Sequence, residues 1–454
     1  LRYLTVKNSQ GLLQIKMMKK YLYIPFILSM FVLHSCKNNH QENPALYIHP
    51  QQQCLHNLTA VIVYDIFNPP VASRIYAYSN LAYYEAIRWK DSNSNSIIEK
   101  MKGFTTMPAP EKNMEYDFTL AAIKAFYKVG KALVFSKDSL AKSESTVLAS
   151  FKNALTADAY NNSIAFGDSV AAIILKRSTT DNYKQSRGKP KLNVYNTNGK
   201  WQQTPPDYLD AIEPNWSILK PFLLDSAAQF TPPPPPAYNL DKKSEYYKQL
   251  MELYTLTKNL TPQQDSIARY WDDNAFVTQY EGHMIYANKK TTPPGHWMGI
   301  VSILTKQKNS TETATAKSFA LTASAMFDGF IACWYEKYKS LTVRPITVIQ
   351  ENIERDWEPI LQTPPFPEYI SGHSVISAAA ATILAKQYGS NVAFMDTTEM
   401  KYLGMRRFFL SVNDAAAEVS ISRMYGGIHY KAAINEGVKQ GQQIGQFYVA
   451  AFYN

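Results

Sequence analysis

Three short stretches in the C-terminal third of the chain concentrate groups that bind and transform oxyanions. They are Lys337 with Arg344-Pro345, then Ser371-Gly372-His373, then Ser422-Arg423 with His429. Two guanidinium groups, an ammonium, a hydroxyl, a glycine amide and two imidazoles can surround one tetrahedral or trigonal-bipyramidal oxyanion. Arginine supplies planar, two-pronged donation to such oxygens. A histidine at the same centre can act as nucleophile or as acid–base group. No common structural role needs that set.

Local sequence says how each group would be presented. Residues 316–339 hold no Pro, and Phe319, Ala323, Met326, Phe327, Phe330 and Trp334 recur close to one face, which predicts a helix with Lys337 in its last turn. Pro345 drives Arg344 out of the helical region, so the two side chains can converge from a helix end and the loop after it. Taken alone, a Lys and an Arg seven apart are ordinarily surface charges. In the second stretch Pro364, Pro365 and Pro367 make a stiff approach to a helix over 374–388, closed by Gly389. Ser371, the Gly372 amide and His373 then sit at a helix N-terminus, where free amides and the dipole favour an anion. In the third, a helix over 414–424 carries Arg423 near its end, and Gly426-Gly427 breaks it before His429. Gly437, Gly441 and Gly445, spaced by four, predict close packing of the last helix on a neighbour.

Together the three stretches resemble the type 2 phosphatidic acid phosphatase and vanadium haloperoxidase superfamily. Its pattern is Lys-x6-Arg-Pro, Pro-Ser-Gly-His, and Ser-Arg-x5-His-x3-Asp; here the motifs span 337–429 with matching internal spacing. Pro69-Pro70-Val71-Ala72-Ser73-Arg74 and Tyr270-Trp271-Asp272-Asp273 resemble the soluble haloperoxidase branch. The resemblance implies an all-α helical bundle with long irregular loops. It implies that Lys337, Arg344 and Arg423 neutralise equatorial oxygens, with Ser371 and the Gly372 amide adding neutral hydrogen bonds. His429 would be the apical group, either a phosphohistidine-forming nucleophile or the nitrogen ligand of vanadium. His373 would be the acid–base group. Trp334, three before Lys337, and Phe366, five before Ser371, are similar in spacing to the aromatic halide pocket of fungal-type chloroperoxidases, although aromatics fill cores by default.

Two positions depart from the pattern. Ile370 stands for the usual Pro. Ala433 stands where the family often has Asp, so His429 lacks an expected carboxylate. Glu418, Asp272, Asp273 and Asp328 are candidates to supply a charge to the site.

The elements that must position these groups read as helices: 58–67, 71–89, 116–135, 138–155, 165–176, 244–257, 262–271 and, with a weaker pattern, 277–289. No run alternates with period two over a strand's length. The pattern fades over 180–216, and Pro232–Pro236 reads as a rigid spacer. The expected organisation is a signal region with a lipobox over 1–36, a helical region over 37–200, a Pro-rich linker or loop over 201–236, and a helical region over 237–454 that carries the site. A single continuous domain with an embedded loop is the other reading. Met17-Met18-Lys19-Lys20, the apolar run 21–32 and Leu33-His34-Ser35-Cys36 look like a bacterial lipoprotein signal with Cys36 acylated. That places the protein in the cell envelope, on the periplasmic face or the outer-membrane surface. Cys54 and Cys333 lack metal-ligand spacing; a pair in an exported protein and buried free thiols are both open.

At 454 residues and 46% hydrophobic the chain can bury a large core, and the net charge of +10 comes from scattered Lys and Arg rather than runs, which argues against a nucleic-acid footprint. Three functions follow. The first is a haloperoxidase with vanadate as cofactor and peroxide and halide as substrates. The second is a cofactor-free acid phosphatase acting on phosphomonoesters through His429. The third is a non-catalytic lipoprotein binding phosphate or a glycan, which has no need of His373. The sequence leaves the oligomeric state open.

Overall fold

The computed structural model describes residues 50–193, 197–275, 277–281, 283–287 and 289–453. The expected lipobox and Cys36 lie outside them. The described residues all belong to one compact unit.

The N-terminal helices are α1 (Pro50–Tyr64), α2 (Pro69–Ile87), α3 (Phe118–Leu133), α4 (Lys137–Lys152), α5 (Ala157–Thr179) and the short α6 (Tyr183–Arg187). Then come α7 (Glu245–Lys258), α8 (Pro262–Tyr270), α9 (Pro293–Gln307), α10 (Glu312–Ser340), α11 (Pro345–Asn352) and α12 (Gly372–Tyr388). The last three are the short α13 (Met400–Leu403), α14 (Val412–Tyr425) and α15 (Lys431–Phe452). Pro69-Pro70, which fall between the helices expected over 58–67 and 71–89, start the second: they occupy its first turn, where no amide donor is needed, behind an Asn68 cap that accepts from the Val71 amide at 3.0 Å.

One helix organises the rest. α10 is buried along almost its whole length, from Thr313 to Lys337. It packs against α2 on one side and α12 on the other. α2 in turn packs on α3 and α5, while α12 packs on α14 and α15. The glycine spacing in α15 does what it predicts. A methyl group on Gly441 would sit 2.1 Å from the Val375 carbonyl oxygen of α12, and one on Gly437 would sit 2.8 Å from that of Ser371. The two backbones therefore meet directly beneath the start of α12.

The segment 201–236 lies along this core. Trp201, Trp216, Leu219, Phe222 and Leu224 are buried. The Asp328 carboxylate, in the middle of α10, accepts the amides of Phe222, Leu223 and Leu224 at 2.7, 2.9 and 3.2 Å and the Tyr448 hydroxyl at 2.9 Å. The Ile212 amide bonds Pro365 O at 2.9 Å, and the Tyr369 hydroxyl bonds Pro233 O at 2.5 Å. These bonds tie the irregular stretch to the loops that carry the site.

One expectation needs correction. Residues 277–289 are not a helix: β1 (Thr278–Glu281) and β2 (Met284–Ala287) pair antiparallel with Thr278 opposite Ala287. The apolar run there is short, and a run of that length carries no decisive period. A second hairpin joins β3 (Phe394–Asp396) to β4 (Arg407–Phe409). Cys54 and Cys333 are buried free thiols.

Candidate oxyanion site

The three stretches converge. Lys337 comes from the last turn of α10, Arg344 is the extended residue ahead of α11, and Ser371 caps α12. Arg423 comes from the end of α14, and His429 from the turn between α14 and α15. Lys337, Arg344 and Ser371 are fully buried; Arg423 and His429 are 1% and 3% exposed.

Each cation is aimed by main-chain carbonyls. The Lys337 ammonium donates to Pro367 O at 2.8 Å and Glu368 O at 3.0 Å. Arg344 donates from Nε to Phe366 O at 2.8 Å and from Nη1 to Ile428 O at 2.7 Å. Arg423 donates from Nη1 to Trp271 O. Particular polar atoms are left free. Arg344 Nη2, Arg423 Nε and His373 Nε2 are buried without a hydrogen-bond partner. Buried polar atoms are rarely left so; the two arginine donors fit the oxygens of an oxyanion, and His373 Nε2 fits a protonated oxygen beside it. Ser371 Oγ accepts from the Ser374 amide and hydroxyl at 3.3 and 2.9 Å, which leaves its own proton to donate. The Gly372 amide opens α12 and has no intrahelical acceptor.

Charge tells the same story. Burial, and to a lesser degree the neighbouring Arg344, pull Lys337 down to about 7. Burial pulls Arg344 and Arg423 down to about 10. His429 and His373 are held well below the ordinary histidine value, first by burial and then by the surrounding cations. An anion bound here would counter these shifts by favouring the charged form of each group.

His429 is oriented by a carboxylate the sequence reading missed. Its Nδ1 lies 2.9 Å from Glu368 Oε1, which also accepts the Tyr430 amide at 2.9 Å. A proton on Nδ1 leaves the lone pair on Nε2, which lies 3.3 Å from Arg344 Nη1.

Comparison with known proteins agrees with this geometry. A family model described as the VCPO second helical-bundle domain matches residues 317–453. The crystal structure of the first bacterial vanadium-dependent iodoperoxidase is 42% identical, covering 88% of this chain and 95% of that one with a TM-score of 0.83. The chain belongs to the vanadium haloperoxidase superfamily. The holo form of a bacterial vanadium-dependent chloroperoxidase, 16% identical with a TM-score of 0.65 over 85% of this chain and 93% of that one, shares the fold. Its apo form does so at 15% identity and a TM-score of 0.64, covering 86% and 95%. A search of curated sequences gives no match.

Where this chain departs from the haloperoxidase motif, the structure shows the substitution. Ala433 and Glu368 line the same small cavity beside Tyr430. The carboxylate that engages His429 comes instead from the loop before α12, three residues ahead of Ser371. The absence of Asp at position 433 was the available signal, and Glu368 was the acidic residue nearest to the motif.

The four carboxylates first considered do other work. Glu418 pairs with Arg407 at 2.6 and 2.7 Å and accepts the Trp271 indole N–H at 2.9 Å. Asp328 pins the 222–224 loop. Asp272 pairs with Lys290 at 2.7 Å, and its backbone bonds His373. Asp273 faces His296. Asp272 and Asp273 do favour the charge on Arg423, but neither holds His429.

Trp334 and Phe366 stand against the same cations. Their ring centroids are 5.0 Å apart, and Phe366 lies 5.0 Å from both the Lys337 ammonium and the Arg344 guanidinium carbon. They form the apolar wall of the pocket.

Proposed function

We propose that this chain is a vanadium-dependent haloperoxidase that oxidises iodide. The observation that carries the reading is the group of buried, partnerless polar atoms Arg344 Nη2, Arg423 Nε and His373 Nε2 around a His429 whose Nδ1 is engaged by Glu368. Lys337, Arg344, Arg423, Ser371 and the Gly372 amide would hold the oxygens of vanadate, and His429 Nε2 would be its protein ligand. Bound vanadate would supply a Lewis-acidic centre at which hydrogen peroxide, halide and one proton give hypohalous acid and water.

The chain's own residues do the rest. Three buried cations neutralise the charge on the oxygens, and away from bulk water each of their hydrogen bonds is stronger than in solution. Glu368 fixes the His429 tautomer and ring plane. Burial and the neighbouring cations favour the neutral form of His373, so its Nε2 could take a proton from peroxide and return it to the departing oxygen. The Trp334–Phe366 wall offers a soft anion an apolar, cation-edged surface. Iodide is supported by the 42% identical iodoperoxidase, which this chain matches over nearly its full length.

Vanadate-free protein is assayed with iodide and peroxide before and after orthovanadate, and in parallel with a phosphomonoester without vanadate. Iodide oxidation that depends on vanadate and vanishes in His429→Ala is expected, with bromide and chloride slower. Iodide turnover that needs no vanadate, or ester hydrolysis alone, contradicts the reading and favours the phosphatase. We also propose that Cys36 carries a lipid that holds the protein in the cell envelope. Cys36→Ala should release it from the membrane fraction, and an unaltered distribution contradicts that.

A further inference from the structure

We infer that His296 is a positioning residue for the vanadate pocket: it fixes the segment Trp271–Asp273, whose main chain aims Arg423 and His373. The inference rests on the reading of the pocket given above.

The segment holds two site residues at once. Trp271 O accepts from Arg423 Nη1, and the Asp272 backbone bonds the His373 ring. Both carbonyl contacts leave the opposite edge of each side chain free, at Arg423 Nε and His373 Nε2. A shift of the segment would therefore swing both side chains together. Asp273 has a φ of 43°, in the left-handed region that non-glycine residues seldom adopt. A backbone of that kind persists only where its surroundings hold it.

His296 supplies the hold from α9. Its Nδ1 lies 3.0 and 3.1 Å from the two Asp273 oxygens, and its Nε2 lies 2.8 Å from Asp396 Oδ2. Carboxylates at both nitrogens require a proton on each, so the ring is an imidazolium. The Trp271 indole stacks on the same ring, with centroids 4.3 Å apart and planes 26° from parallel. One fully buried side chain thus grips the residues on either side of Asp272. Glu399 lies 3.7 Å from Nδ1 and has an oxygen without a hydrogen bond, so it adds charge to the cluster without gripping the segment. A histidine that merely filled the core would need neither carboxylate.

The test is equilibrium binding of orthovanadate to the vanadate-free protein, well below its melting temperature, for the unaltered chain, His296→Gln, His296→Ala and Glu399→Gln. The two His296 variants are expected to bind about 10–100-fold more weakly, as for residues that orient metal ligands. At saturating vanadate their KM for iodide should stay unchanged, because the halide wall is elsewhere. Glu399→Gln should bind as the unaltered chain does. A role in stability alone would lower the melting temperature of the His296 variants and leave vanadate affinity intact, which overturns the inference. Should His296→Ala not fold, His296→Gln, which keeps a donor towards Asp273, carries the comparison. Absence of binding by the unaltered chain overturns the vanadate reading itself, and with it this inference.

Discussion

Glu368 Oε1 sits 2.9 Å from His429 Nδ1 and turns the opposite nitrogen of that ring toward Arg344. A loop carboxylate here does the work for which related motifs often keep an acid on the last helix. It also sets the chemistry of the ring, since the nitrogen facing the cations is the unprotonated one.

Replacing Glu368 by Ala should weaken vanadate binding about 10–100-fold, and Gln, whose amide oxygen can still accept from Nδ1, should weaken it less. Vanadate titration of iodide oxidation reads both. An unchanged midpoint in the Ala variant would remove Glu368 from this role.

Lys337 makes vanadate binding depend on pH. Its ammonium is held to about 7 in the vacant pocket, by burial first and then by Arg344. Above that pH the vacant site is neutral at Lys337, and binding must take up a proton. Affinity should therefore fall from about pH 7 upward, by as much as about tenfold per pH unit from this group. Lys337→Met should bind more weakly at low pH and lack that component of the slope. Both proteins meet the same vanadate protonation, so the difference between their curves isolates the lysine.

The same shift has the opposite sign for stability. The ordinary value for this lysine is 10.5, so between about 7 and 10.5 the unfolded chain binds its proton more tightly than the vacant native state. The lysine's cost to the fold is complete below about 7 and fades as pH rises towards 10.5. Denaturant unfolding of the vanadate-free chain should show this gain relative to Lys337→Met, and a difference independent of pH would contradict it.

Asp328 should matter for stability and not for the ligand. Asp328→Ala removes the acceptor of three buried amides and the Tyr448 hydroxyl, at a cost of roughly 2–4 kcal/mol. Denaturant midpoints check the loss. The folded fraction should keep its vanadate affinity, because these bonds fix the 222–224 loop and not a donor.

Gly441→Ala should destabilise by roughly 1–3 kcal/mol through overpacking against the Val375 carbonyl. Calorimetric melting reads it. A melting temperature equal to that of the unaltered chain would show that α12 and α15 can separate at small cost.

Much of the site was legible because its chemistry is written in short motifs. Lys337, Arg344, Ser371, Gly372, His373, Arg423 and His429 meet where the spacing and the resemblance put them, and the α15 glycines pack as their period implies. What the sequence did not show is relational. Glu368 lies in a proline-rich loop and reads as an ordinary surface acid until the fold turns it beneath His429. His296 sits among apolar residues at the start of α9, with no motif to mark it; its carboxylates come from positions 273 and 396. The β1–β2 hairpin was hidden because so short an apolar run suits a helix and a strand equally.

The most direct test is a crystal structure of the protein with orthovanadate. Vanadium bonded to His429 Nε2, with its oxygens held by Arg344 Nη2 and Arg423 Nε, is the expected result. Vanadate bound elsewhere on the protein, or a pocket in which His429 Nε2 stays free at saturating vanadate, would contradict it.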